Sequence, residues 1–171
     1  MHIVLLGMMG SGKTTIGTRL ATQLERPFID SDDVLRSTTG REAARIAREN
    51  GVEALHAIEA ELLLESLGAT RPAVIAAAAS VVESEPCRRS LAHHTCVWFD
   101  ADAATLTGRQ PRADHRRELA NTEEALGALK HRRDPFYGEL ACVRIDTAAT
   151  DADGALAAAL EATASSHADS A

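Results

Sequence analysis

Apolar residues fall in short unbroken runs separated by longer stretches of helical spacing. The first run is His2-Ile3-Val4-Leu5-Leu6, too short for a helix and suited to a buried strand. Similar runs recur at Pro27-Phe28-Ile29-Asp30, Ala73-Val74-Ile75-Ala76, Cys96-Val97-Trp98-Phe99 and Cys142-Val143-Arg144-Ile145. Between the first two, Ile16, Leu20 and Leu24 repeat at helical spacing with Thr18, Arg19 and Gln23 between them. After the second run the pattern predicts helices broken at Gly40 and Gly51. Ile46 lies on the first of these, and Leu55, Ile58, Leu62 and Leu63 form a stripe on the next. Further helices are predicted near 84–92, 103–109, 122–137 and 151–163. Strands alternating with helices predict a three-layer α/β/α fold with a central parallel sheet of about five strands. Ligands in such sheets sit at the carboxyl ends of the strands.

The chain has 171 residues, enough for one domain with a full core. That domain is expected to span residues 1–164, with 165–171 a frayed tail lacking core formers. Aromatic residues make up only 3%, so the core should be aliphatic. A net charge of −7 argues against a nucleic-acid partner. No apolar run approaches a membrane span, and residues 1–6 are too short for a signal peptide. Cys87, Cys96 and Cys142 contain no C-x-x-C and read as small buried residues of a reducing cytoplasm. His93-His94 reads as a loop before a strand. The expected protein is a cytoplasmic monomer acting on a small molecule.

The chemistry starts at Gly7-Met8-Met9-Gly10-Ser11-Gly12-Lys13-Thr14, a G-x-x-x-x-G-K-T phosphate-binding loop between a predicted strand and a predicted helix. Glycines let successive N–H groups point into one concavity, and the helix N-terminus adds positive charge there. Lys13 can reach the outer phosphates, and the Thr14 hydroxyl can ligate Mg²⁺. A dinucleotide-binding G-x-G-x-x-G is excluded, because Lys13-Thr14-Thr15 follows Gly12 with no third glycine.

Asp30 ends the second strand, beside the loop in a parallel sheet, and Asp32 and Asp33 follow. One carboxylate there can support Mg²⁺, and another can accept a hydroxyl proton. Ser31, Asp32 or Asp33 can also cap the next helix. The polar stretch from Gln110 to Arg117 reads equally as a solvated face or as part of a mobile lid, about 110–119, closing arginines over phosphates.

The order of these pieces resembles the shikimate kinase family, from about Ile3 to Thr147. Matching stretches are Gly7 to Thr14, Phe28-Ile29-Asp30-Ser31-Asp32, Thr39-Gly40-Arg41, residues 51–59 ending in Ile58-Glu59, Val97-Trp98-Phe99 through Arg109, Arg116, and Arg133-Asp134-Pro135-Phe136-Tyr137. The resemblance implies a nucleoside-monophosphate-kinase-like P-loop fold using ATP and Mg²⁺ in aromatic amino acid biosynthesis. Gly7, Gly10, Ser11, Gly12, Lys13, Thr14 and Thr15 would hold phosphate, with Arg109 near the adenine. Thr14 and Asp30 would serve the metal. Lys13, Asp32 and Arg116 would be catalytic, Asp32 as base and Arg116 from the lid. Helices at about 31–67 would bind the acceptor, and Arg133 its carboxylate.

The chain departs from that pattern at the acceptor. His56 stands where the family has a carboxylate-binding arginine. Ala77, Ala78 and Ala79 stand at three family glycines, where methyl groups would crowd the substrate ring and any positive φ would be strained. Arg117 replaces the proline after the lid arginine. The expected activity is phosphoryl transfer from ATP to a hydroxyl of shikimate or a related ring acid. Kinases of gluconate-type sugar acids, and a nucleotide-binding protein without transfer activity, are the alternatives.

Overall fold

A computed structural model describes residues 1–109 and 122–168. Five strands form one sheet: β1 (Ile3–Leu6), β2 (Phe28–Asp30), β3 (Val74–Ala76), β4 (Thr95–Asp100) and β5 (Val143–Asp146). Their order is β2-β3-β1-β4-β5, and every pair is parallel. The helices are α1 (Lys13–Gln23), α2 (Ser31–Thr39), α3 (Ala43–Asn50), α4 (Val52–Leu67), α5 (Glu85–Leu91), α6 (Ala103–Arg109), α7 (Glu123–Leu140) and α8 (Ala152–Ala168). A 3₁₀ turn, Val81–Glu83, precedes α5.

Strand periodicity divides the core. Ile3 and Leu5 of β1 join Val97, Phe99, Ile16, Leu20 and Leu156 in the layer under α1 and α8. Val4 and Leu6 face the other way, onto Leu63, Leu67, Leu91, Trp98, Leu126 and Tyr137. All four β1 residues are buried, which is why this run lacks a polar face. Helix α1 lies close on the sheet at Gly17, where an added Cβ would stand 2.6 Å from both Leu5 Cδ1 and Phe28 Cε2. A third, smaller cluster (Leu35, Ala43, Ile46, Leu55 and Leu62) ties α2, α3 and α4 together.

Three expectations are corrected here. The last helix, expected near 151–163, runs to Ala168, because the stretch holds no Pro or Gly after Gly154 to break it. Cys142 is exposed, since β5 is an edge strand; Cys87 and Cys96 are buried as expected. The cap of α2 is Asp30, one residue before Ser31, Asp32 and Asp33: its carboxylate accepts the Asp32 N–H at 2.9 Å. Glycines end the helices as expected, with Gly40 at φ 67 and Gly51 at φ 91. The expected lid at 110–119 lies outside the described residues.

Candidate active site

The carboxyl ends of β1, β2 and β3 open into a cavity of about 860 Å³. Its floor is the loop from Met8 to Thr14, between β1 and α1. The loop starts at Gly7, at φ 137, where a Cβ would stand 2.2 Å from the Phe99 carbonyl oxygen. Only glycine allows that approach to β4. Helix α1 begins after Gly12 with no side-chain cap and no acidic residue in its first turn. Its leading N–H groups and dipole are thus left to an anion arriving from the cavity.

Lys13 folds back over this loop. Its ammonium donates to the carbonyls of Gly7 at 2.8 Å and Met8 at 3.1 Å. Burial pushes its pKa down to about 8, against the attraction of Asp32 and Asp30, and nearby Arg133 pushes the same way as burial. The Thr14 hydroxyl donates to Asp30 at 2.7 Å. Thr14 opens α1 and Asp30 ends β2, so hydroxyl and carboxylate meet at the cavity wall. A hydroxyl and a carboxylate in contact beside a phosphate loop suit a hard divalent cation that keeps several waters. Ser11 lies in the loop, bordering the cavity. Its N–H donates to Met8 O at 3.2 Å, and its buried hydroxyl has no hydrogen-bond partner among the described residues. Thr15 and Arg109 also border the cavity. Arg109 reaches from α6 to grip Thr147, donating to its hydroxyl at 3.0 Å and its carbonyl at 2.6 Å.

The far wall holds the acceptor candidates. Asp32 borders the cavity; Asp33 does not, and pairs instead with Arg36 on the surface. Arg133 borders it from α7 and is only 5% exposed. One turn on, the buried Tyr137 hydroxyl donates to Ala79 O at 2.9 Å and fixes α7 against the β3 end. Glu59 borders the cavity from α4 and accepts a hydrogen bond from the Ser80 hydroxyl. His56 borders the cavity from α4. Burial and then the Arg133 charge lower its pKa, so it is neutral over a wider range than an ordinary histidine.

Ala77, Ala78 and Ala79 border the cavity as expected. Their backbone meets the condition set for it. Among the described residues Glu25 alone of the non-glycine residues has positive φ, so the alanines carry no left-handed strain. What they add is methyl groups in the wall. Arg116 and Arg117 lie outside the described residues. Glu59, Ser80 and Glu83 were not picked out as site residues. Ser80 and Glu83 follow β3 in a stretch of no regular period, and their partners lie far along the chain.

A phosphate loop on an uncapped helix, facing two aspartates and a buried arginine across one cavity, defines a P-loop phosphotransferase with a hydroxyl acceptor. The shikimate kinase family model matches residues 9–164. The shikimate kinase of Symbiobacterium thermophilum is 36% identical over 151 residues, covering 86% of this chain and 87% of that one. The shikimate kinase of Thermobifida fusca is 36% identical over 149 residues, covering 84% of each. Among solved structures, shikimate kinase from Acinetobacter baumannii in complex with shikimate superposes with a TM-score of 0.88 at 30% identity, over 96% of this chain and 93% of that one. The Aquifex aeolicus shikimate kinase shares the fold, with a TM-score of 0.82 at 21% identity. The chain belongs to the shikimate kinase family and is an ATP-dependent kinase.

Proposed function

We propose that this protein transfers the γ-phosphoryl group of ATP to a hydroxyl of shikimate. One observation carries the reading: the phosphate loop, Asp32 and buried Arg133 border a single cavity. Arg133 binds the acceptor carboxylate and turns the reacting hydroxyl toward Asp32. Asp32 takes the hydroxyl proton as the oxygen attacks. Lys13 leaves its loop carbonyls for the phosphate oxygens and stabilises charge as it moves to the leaving group. Thr14 and Asp30 are the residues that would hold Mg²⁺. The ion would supply charge neutralisation to the transferring phosphate. Arg109 braces the wall where the base would lie.

His56 and the three alanine methyl groups favour a second reading, in which the acceptor is a smaller or differently shaped hydroxylated acid. Coupled ADP release separates the two when measured over shikimate, quinate, gluconate and cyclitols. Shikimate is expected to give the highest kcat/KM. Stimulation by gluconate alone would replace shikimate as the acceptor. ATP hydrolysis that no acceptor stimulates would overturn the kinase reading.

A further inference from the structure

Arg133 is a buried cation placed near a second one. Its charge helps depress the pKa of Lys13, so the two repel across the cavity. A long side chain in that position needs a counter-charge to stay where it is. Glu83, at the end of the 3₁₀ turn, supplies it. Its Oε1 accepts the Nε–H of Arg133 at 3.0 Å. The same oxygen accepts the Nε–H of Arg132 at 2.8 Å. Arg132 is largely exposed, and Arg133 is buried. Although burial works the other way, the two guanidinium groups hold the Glu83 pKa below the ordinary carboxylate range, so it stays ionised near neutral pH.

The choice of nitrogen matters. Glu83 occupies Nε, the inner nitrogen of the guanidinium. That leaves the two terminal nitrogens as the fork that matches a carboxylate. One of them, Nη1, lies 3.9 Å from Met8 Sδ, on the phosphate-loop side of the group. Glu83 therefore sets both the position of the guanidinium and the edge it offers. Helix α7 has another anchor, the hydrogen bond from Tyr137 to Ala79, so its seating does not depend on this ion pair.

We propose that Glu83 is a positioning residue for the acceptor: it tethers Arg133 by Nε and so presents the terminal nitrogens to the acceptor carboxylate. The proposal rests on shikimate being the acceptor and Arg133 its carboxylate partner. It goes further in making acceptor affinity depend on a residue outside the cavity wall. Arg132 shares the tether without contributing to binding.

The test is steady-state kinetics on Glu83→Ala, Glu83→Gln and Arg132→Ala, with thermal melts as a check on folding. Glu83→Ala is expected to raise the KM for shikimate about tenfold, the scale of a charge-assisted contact, with kcat and the KM for ATP within about twofold of wild type. Glu83→Gln keeps an oxygen for the Nε–H and is expected to restore most of the KM. Arg132→Ala is expected to leave it unchanged. An unchanged KM for shikimate in Glu83→Ala overturns the proposal, as does an equal rise in the KM for ATP. So does a Glu83→Gln as impaired as Glu83→Ala, or an Arg132→Ala that matches it. Wild-type protein that does not phosphorylate shikimate overturns the acceptor assignment itself, a result distinct from all of these.

Discussion

The Thr14 hydroxyl and the Asp30 carboxylate are hydrogen-bonded at 2.7 Å, joining the start of α1 to the end of β2. The other oxygen of Asp30 is already committed, accepting the Asp32 N–H as the cap of α2. One side chain thus caps a helix and holds the Thr14 hydroxyl. Asp30→Asn keeps a capping oxygen and loses the charge. It is expected to need at least about tenfold more Mg²⁺ for half-maximal activity, at nearly unchanged stability. Asp30→Ala is expected to share that defect and lose about 1 kcal/mol of stability as well. Magnesium titrations alongside urea denaturation check both.

Lys13, with its pKa near 8, is partly deprotonated at mildly alkaline pH before nucleotide arrives. Phosphate oxygens favour the charged ammonium and raise that pKa, so binding draws in a proton. ATP affinity is expected to fall as pH rises through about 8. Calorimetry in buffers of different ionisation enthalpy should register proton uptake on nucleotide binding there, and none near pH 6. Lys13→Ala is expected to abolish transfer, weaken ATP binding strongly and erase the uptake.

Asp32→Asn is expected to fold and bind MgATP normally while turnover falls by about a hundredfold or more, since an amide cannot take the hydroxyl proton. Asp33→Asn, whose native carboxylate pairs with Arg36 away from the cavity, should keep turnover. Single-turnover kinetics on the two variants decide between the carboxylates.

His56 is expected to be neutral at pH 7, because burial and the Arg133 charge both lower its pKa. In the proposed site, protonation would add positive charge near Arg133, the residue assigned to the acceptor carboxylate. Shikimate affinity should therefore improve only as pH falls below the ordinary histidine value of about 6.5. His56→Arg supplies that charge at every pH. It is expected to gain about 1.5–3 kcal/mol, roughly tenfold to a hundredfold in affinity, and to flatten the pH profile. Binding titrations from pH 5.5 to 8 test this. If the variant binds no better, the methyl groups of Ala77, Ala78 and Ala79 limit the pocket instead.

The nucleotide half of the site was legible because its parts are contiguous. A buried strand, a glycine loop and an amphipathic helix follow one another within residues 3–23. Asp30 and Asp32 were legible because a short apolar run ends beside them. The acceptor half was harder to read. That Arg133 meets Glu83 depends on how α7 packs against a turn 50 residues earlier, and neither segment has a period that reveals it. The sequence could say that a positive φ at the three alanines would be strained but not whether the backbone takes one, and it does not. The capping residue was misplaced by one position, which is the usual uncertainty of a helix boundary read from short polar side chains.

The small cluster of Leu35, Ala43, Ile46, Leu55 and Leu62 stands apart from the two cores that clamp the sheet. On α4 the division falls between neighbours: Leu62 belongs to the small cluster and Leu63 to the main one. The excursion between β2 and β3 therefore has an interior of its own, while Leu63 and Leu67 of α4 tie it into the main core. A change in the packing of that interior would move Asp32, His56 and Glu59, which border the cavity from the excursion, without passing through the layer beneath α1.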